Sequence, residues 1–257
     1  PILSVVGLGH VPESADARKD AGRRSTGAGT RIWLLSSRSL NSPPASLVGA
    51  GQPLSRSAVN PIAIFAATRW EIQAVRRALV TDHLATIAGV RCHIGQQGDR
   101  TYWIIQTGVG PAAAGTVAEK VLTAQAMSLV MSTGFACALV PAQVGDLIVG
   151  TAVSSVHGEE TWTMRNDRVL CDEVVRAGLL TAAQNAGLVA RVGTVVSSGT
   201  VVWQAQEKCL LRQLTDATGL DMESAAVAAV AQKRGLPMVI VRTVSDLVDE
   251  DLPLDFN

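Results

Sequence analysis

The sequence predicts an α/β protein, a three-layer α/β/α arrangement around a mixed, mostly parallel central sheet. Three observations carry that expectation. Short apolar runs such as PIAIFAA, TYWIIQT and PMVIVRTV alternate with helically periodic stretches, the pattern of a sheet covered on both faces. Aromatic residues make up only 4% of the 257 residues while Ala and Val abound, which suits close helix–strand packing. No apolar run reaches the roughly 20 residues of a spanning helix. The best candidate, Ser128 to Val153, is broken by Pro141 and Asp146, so a soluble, cytoplasmic protein with no membrane partner is expected.

Residues 1–60 stand apart. They carry seven basic residues against three acidic ones, and no Asp or Glu occurs between Asp20 and Glu71. Rich in Ser, Gly, Pro and Arg and without periodicity, they read as a disordered or non-native leader. A transit peptide has a similar composition but needs an amphipathic pattern that is absent here. The chain opens on Pro1 and closes on LPLDFN, so truncation is expected, at the C-terminus above all.

From Pro61 to Asn257 a single domain is expected. PIAIFAA is a strand, TRWEIQAVRRAL a helix, TYWIIQT a strand, and AAAGTVAEKVLTA a helix after Gly108-Val109-Gly110. SLVMSTGF, DLIVGTAV and RVGTVVSS are further strands. The helices QAQEKCLLRQLTDA and SAAVAAVAQKRG follow, the second stopped by Gly235, and PMVIVRTV is the last strand. The formal net charge is zero, which argues against a nucleic-acid partner. Four widely spaced cysteines without a CxxC pair suit buried thiols in a reducing compartment.

Ligands of an open α/β sheet gather where loops leave the carboxyl ends of strands. Those exits present Arg69 and Glu71; Gly108-Val109-Gly110; Thr133-Gly134-Phe135-Ala136; Gly199-Thr200; and Ser245-Asp246. Gly108-Val109-Gly110, with Ala113 in third place, resembles a dinucleotide fingerprint but lacks the acid that would hold a ribose. Its plain reading is a tight strand-to-helix turn, and its functional reading a backbone pocket for an oxygen-rich ligand at a helix N-terminus. His157-Gly158-Glu159-Glu160 has no second histidine to complete a metal site, and none is expected. Taken singly, Glu71 reads as an exposed helix residue, Asp221 as a helix cap and Asp246 as a turn residue.

Together these segments resemble the purine/uridine phosphorylase superfamily, which includes the methylthioadenosine/S-adenosylhomocysteine nucleosidases. DMESAAVAAVAQKRGLPMVIVRTVSDLVD is similar to the family's acid-Met-Glu helix and the Arg-x-x-Ser-Asp exit after it. STGFACALVPAQVGDLIVG is similar to its glycine-rich segment, and the first strand with TRWE to its Glu-bearing loop. The pair Trp70-Glu71 and the string DMES look most like the hopanoid-associated branch, which acts on adenosylhopane.

The resemblance implies a nucleoside phosphorylase-like fold, a purine nucleoside as substrate, a homo-oligomer and no cofactor. It implies Asp246 as the acid that protonates the purine, Glu223 as the ribose-binding acid and Glu71 as the residue that activates water. Met222 would pack on the sugar, Ser245 would hold Asp246, and Arg242 would anchor its strand through a buried ion pair. Gly134, Phe135, Ala136, Gly108 and Arg69 would line the site.

Departures are Cys137 at a glycine position, Gly199 where a polar residue is expected, and Val201 and Val202 in place of a base-stacking aromatic. Ser132 stands where the hexameric phosphorylases carry a phosphate-binding Arg, which favours water as nucleophile. Phosphorolysis, with inorganic phosphate as co-substrate, and a non-catalytic nucleoside-binding homologue are the alternatives.

Overall fold

The computed structural model describes residues 60–252 apart from Val80, Glu159 and Glu160. The leader expected up to residue 60, Asn60 apart, and the chain end beyond Leu252 lie outside the described residues, as do the two glutamates of the His157 segment. Eleven strands and five helices are described: β1 (Ile62–Ala66), α1 (Arg69–Ala78), β2 (Thr81–Ile87), β3 (Val90–Gln97), β4 (Arg100–Gln106), α2 (Pro111–Ala124), β5 (Leu129–Ala138), β6 (Leu147–His157), β7 (Thr163–Met164), β8 (Val169–Leu170), α3 (Glu173–Asn185), β9 (Ala190–Ser197), α4 (Ala205–Thr215), β10 (Gly219–Asp221), α5 (Ser224–Lys233) and β11 (Met238–Leu247).

The sheet runs β10-β9-β6-β11-β5-β1-β4-β3-β2, and β10 also returns to pair with β5. Five strands therefore close on themselves, and β1, β4, β3 and β2 extend from the ring. Pairings at the centre are parallel, β1 with β4 and β5, β11 with β5, and β6 with β9. The β2–β3–β4 edge and the β6–β11 pair are antiparallel, so the sheet is mixed.

Helices cover both faces because their apolar stripes need burial. Ile72 and Val75 of α1, its C-cap Leu79, and Leu179 and Ala183 of α3 pack with Ile62, Ile64, Met131 and Val239. On the other face, Ala114, Ala118 and Val121 of α2 meet Ala225, Val227 and Ala228 of α5 over Phe65, Val130 and Ile240. α4 seats Leu211 in a smaller cluster with Cys137, Val202 and Leu220.

Three parts of the fold depart from the sequence reading. The β2–β3 hairpin turns at Ala88-Gly89, both with positive φ (47° and 80°), as a two-residue hairpin turn requires. Helix α3 begins at the cap Asp172, whose side chain accepts the Val175 N–H. The expected strand exits at Thr133–Ala136 and at Ser245-Asp246 lie inside longer strands. β5 pairs with β1 only up to Ser132, opposite Phe65, and continues to Ala138, so its second half borders open space beyond the end of β1.

Candidate active site

That space is a cleft of about 290 Å³. Glu71, Asp221, Glu223 and Asp246 all line it, and the remaining walls include Val109, Phe135, Ala136, Cys137, Val201, Val202 and Met222. All four acids are buried, at 5–8% exposure. Buried carboxylates survive only when their oxygens find donors or cations, and each of these does.

Glu71 is set by the start of α1. Thr68 and Glu71 form a reciprocal capping box, in which Thr68 Oγ1 accepts the Glu71 N–H while Glu71 Oε2 accepts the Thr68 N–H at 2.7 Å. The Thr68 hydroxyl also donates to Oε2 at 3.0 Å, and the Phe135 N–H donates to Oε1 at 2.9 Å. Glu71 is thus not the exposed helix residue it reads as in isolation. Its carboxylate is pinned between the start of α1 and the backbone of β5.

Glu223 sits at the mouth of α5. Its Oε1 accepts the Gly110 N–H at 2.7 Å, from the turn ahead of α2. Burial pushes its carboxyl above the usual glutamate range, against the Arg242 charge and the Gly110 hydrogen bond, while Asp221 and Glu71 add to the rise.

Asp221 is more than a helix cap. It ends β10, accepts the Ser224 N–H at 3.3 Å and the Ser197 hydroxyl on Oδ1, and pairs through Oδ2 with Arg242 Nη2 at 2.7 Å. Arg242 is 2% exposed, so the buried ion pair expected for it has Asp221 as partner. Its guanidinium also donates to Ser132 Oγ (2.9 Å) and Ser224 Oγ (2.8 Å), which occupies Ser132 in structural bonding.

Asp246 is aimed by a β-bulge. The β11–β5 register shifts between Val244 and Asp246, which places Asp246 opposite Cys137 and leaves Ser245 as the extra residue. The Ser245 hydroxyl shares its single proton between Asp246 Oδ1 at 2.7 Å and the Ala136 carbonyl at 3.2 Å. Oδ2 is paired with Lys208 Nζ at 2.6 Å. Burial, and then the Asp246 charge, push the Cys137 thiol up, so it faces the cleft as a neutral group.

Three expected lining residues fall elsewhere. Arg69 is exposed and stacks over the Trp70 ring, 4.6 Å from its centroid, and is not among the residues that line the cleft. Gly108 borders a different hollow beside Arg91 and His93, and it is Gly110 whose backbone reaches a cleft acid. Gly134 is behind the wall, where its missing side chain leaves room for Glu71 and Arg242. Lys208 was not anticipated. It sits between Glu207 and Cys209 in α4, and its acidic partner is 38 residues away, so nothing local announces its burial.

A sheet covered on both faces, with a concave acid-lined cleft beyond the ends of its central strands, defines an α/β small-molecule protein with its site at the usual place for such folds. The chain belongs to the phosphorylase superfamily, whose family model matches residues 61–256. A 5′-methylthioadenosine/S-adenosylhomocysteine nucleosidase of Haemophilus ducreyi is 27% identical over 205 residues, covering 76% of this chain and 88% of that protein. The crystal structure of the nucleosidase of the same name from Helicobacter pylori, complexed with a substituted pyrrolidin-3-ol, superposes with a TM-score of 0.69. Its identity is 22%, over 76% of this chain and 88% of that one. Futalosine hydrolase of H. pylori superposes at 0.68 with 23% identity, over 75% and 87% of the two chains. These superpositions establish the fold.

Proposed function

We propose that the protein cleaves the N-glycosidic bond of an adenine nucleoside, with water as the nucleophile. The observation that carries this reading is the charge of the cleft. Four carboxylates line it and, among the described residues, no arginine, lysine or histidine does. With Asp221 and Asp246 balanced by the Arg242 and Lys208 charges behind the wall, Glu71 and Glu223 are left to stabilise a ribose that becomes cationic as the bond to the purine breaks, and to repel a phosphate dianion. The relatives from Haemophilus ducreyi and Shewanella halifaxensis are named as nucleosidases, which accords with hydrolysis.

In this reading Glu223 accepts hydrogen bonds from the ribose hydroxyls, with Met222 packed on the sugar. Asp246 delivers a proton to the purine so that the base leaves neutral. Glu71, its two oxygens oriented by Thr68 and Phe135, takes a proton from the water that attacks C1′. Val109, Phe135 and Val201 are exposed around the cleft and suit an apolar 5′ substituent. Arg69, held over Trp70, supplies no positive charge for phosphate.

The test is to incubate the protein with 5′-methylthioadenosine and with adenosine, with and without inorganic phosphate, and to follow free adenine and the sugar product. The expected outcome is adenine at a rate independent of phosphate, with a free reducing sugar. A ribose 1-phosphate would replace water by phosphate as nucleophile. No adenine under any condition would leave a binding protein.

A further inference from the structure

Lys208 is the least expected feature of the site. Its side chain is fully buried, yet it does not touch the cleft. An ammonium has three N–H donors, and here three acceptors meet them: Asp246 Oδ2 at 2.6 Å, the Glu250 carbonyl at 2.8 Å and the Leu247 carbonyl at 3.2 Å. Two more bonds tie the same turn to the start of α4. The Ala205 N–H donates to Asp251 Oδ1 at 2.7 Å, and the Leu252 N–H donates to the Trp203 carbonyl at 2.9 Å. Leu252 lines the cleft. The lysine thus fixes both the Asp246 carboxyl and the turn that follows it.

We infer that Lys208 is a positioning residue for Asp246, one that holds the carboxyl in place and stabilises the negative charge left on it as its proton passes to the departing purine. The inference rests on the proposed hydrolysis. In that step the Asp246 O–H bond breaks as an N–H bond forms on the purine. The C1′–N9 electron pair goes to the base, the water oxygen bonds to C1′, and the water proton goes to Glu71. Lys208 makes and breaks no covalent bond. Its contribution grows with the charge on Asp246, so it belongs to the transition state more than to the bound substrate. A fixed cation at hydrogen-bond distance in a dry site needs no reorganisation to act.

The distinguishing measurement uses two leaving groups. Adenine departs from 5′-methylthioadenosine with a proton, whereas 4-nitrophenolate departs from a 4-nitrophenyl riboside without one. Lys208→Met is expected to lower kcat for the nucleoside by about 100-fold with KM little changed, in the range of lost acid catalysis. Release of nitrophenolate by the same variant is expected to match the unmodified protein. Lys208→Arg, which keeps the charge, should recover part of the loss. Equal losses on both substrates would assign Lys208 a merely structural role and overturn the inference.

Lys208→Met leaves Asp246 without its cation and is open to misfolding, so a second comparison is made in an Asp246→Asn background, where no buried carboxylate is stranded. There, adding Lys208→Met should cause no further loss of adenine release, because a residue that acts through Asp246 has nothing left to act on. A large additional loss would again overturn the inference. If the unmodified protein releases neither adenine nor nitrophenolate, it is the hydrolysis reading that fails.

Discussion

The Glu71 carboxylate occupies the space that a side chain at Gly134 would need. A Cβ built at Gly134 falls against Glu71 Oε1 and within 2.6 Å of Arg242 Nη1, at a φ of 147° that favours glycine. The neighbouring Phe135 N–H binds that same Glu71 oxygen. The glycine of the STGF segment therefore serves the site by its emptiness, letting an acid from α1 lie against β5.

Gly134→Ala is expected to destabilise the fold by about 1–3 kcal/mol, in line with overpacking of a tight contact. It should also depress adenine release well beyond what the lost stability accounts for, because Glu71 is displaced. Chemical denaturation and the adenine assay on the same preparation separate the two effects. An alanine variant with unchanged stability and activity would mean that Glu71 rests elsewhere.

Glu71→Gln tests the residue's double employment. Glutamine can still accept the Thr68 N–H, as in a Thr-x-x-Gln capping box, so the helix start should lose at most about 1 kcal/mol. Loss of the base that accepts the water proton is expected to cost about 100-fold or more in rate. Melting curves close to those of the parent, with adenine release nearly abolished, are the expected pair of results. A fall in stability with activity intact would reduce Glu71 to a cap.

Much of this architecture is legible in the chain. The alternation of apolar strands and helices predicts the layers, and T-R-W-E from Thr68 to Glu71 is a capping-box pattern that places the acid on the first turn of α1. Other parts are written only in three dimensions. Asp221 looks like a helix cap because Ser224 opens α5 just after it, while its principal partner, Arg242, arrives from β11 through sheet pairing. Asp246 looks like a turn residue because a Ser-Asp pair ends an apolar run, yet β11 continues through it on a bulge. Lys208 lies within a helix rich in polar side chains, and only the chain path that brings α4 under β11 reveals why it is buried. The β2–β3 hairpin escapes the sequence reading because its turn, Ala88-Gly89, is a weaker signal than Asn-Gly.

The Asp221–Arg242 pair supports the site from behind. With both side chains at 2% exposure or less, removing one partner strands a buried charge, which costs about 3–5 kcal/mol. Arg242→Met is expected to fall in that range by urea denaturation. Adding Asp221→Asn should restore a substantial part, since two neutral groups then face each other. A double variant no more stable than Arg242→Met alone would show that the arginine's bonds to Ser132 and Ser224, not its charge, are what the fold requires.

Glu223 sets the pH dependence. Burial raises its carboxyl in the folded protein above the ordinary value of 4.5, whereas the unfolded chain keeps that ordinary value. Between those two limits the folded state holds a proton that the unfolded state has released. By linkage, stability therefore falls as pH rises across that window. The contribution is fully present below pH 4.5 and is lost by the time the folded carboxyl has ionised. Glu223→Gln carries no titrating group, so the melting temperature of the parent relative to this variant should decline from pH 4.5 upward and then level off. A difference that grew with pH would mean that the Gly110 N–H and Arg242 outweigh burial at this carboxyl. Ribose binding is expected to run the other way. Its hydroxyls donate to the ionised form, so nucleoside affinity should strengthen as Glu223 ionises, and calorimetric titration over the same pH range reads that rise directly.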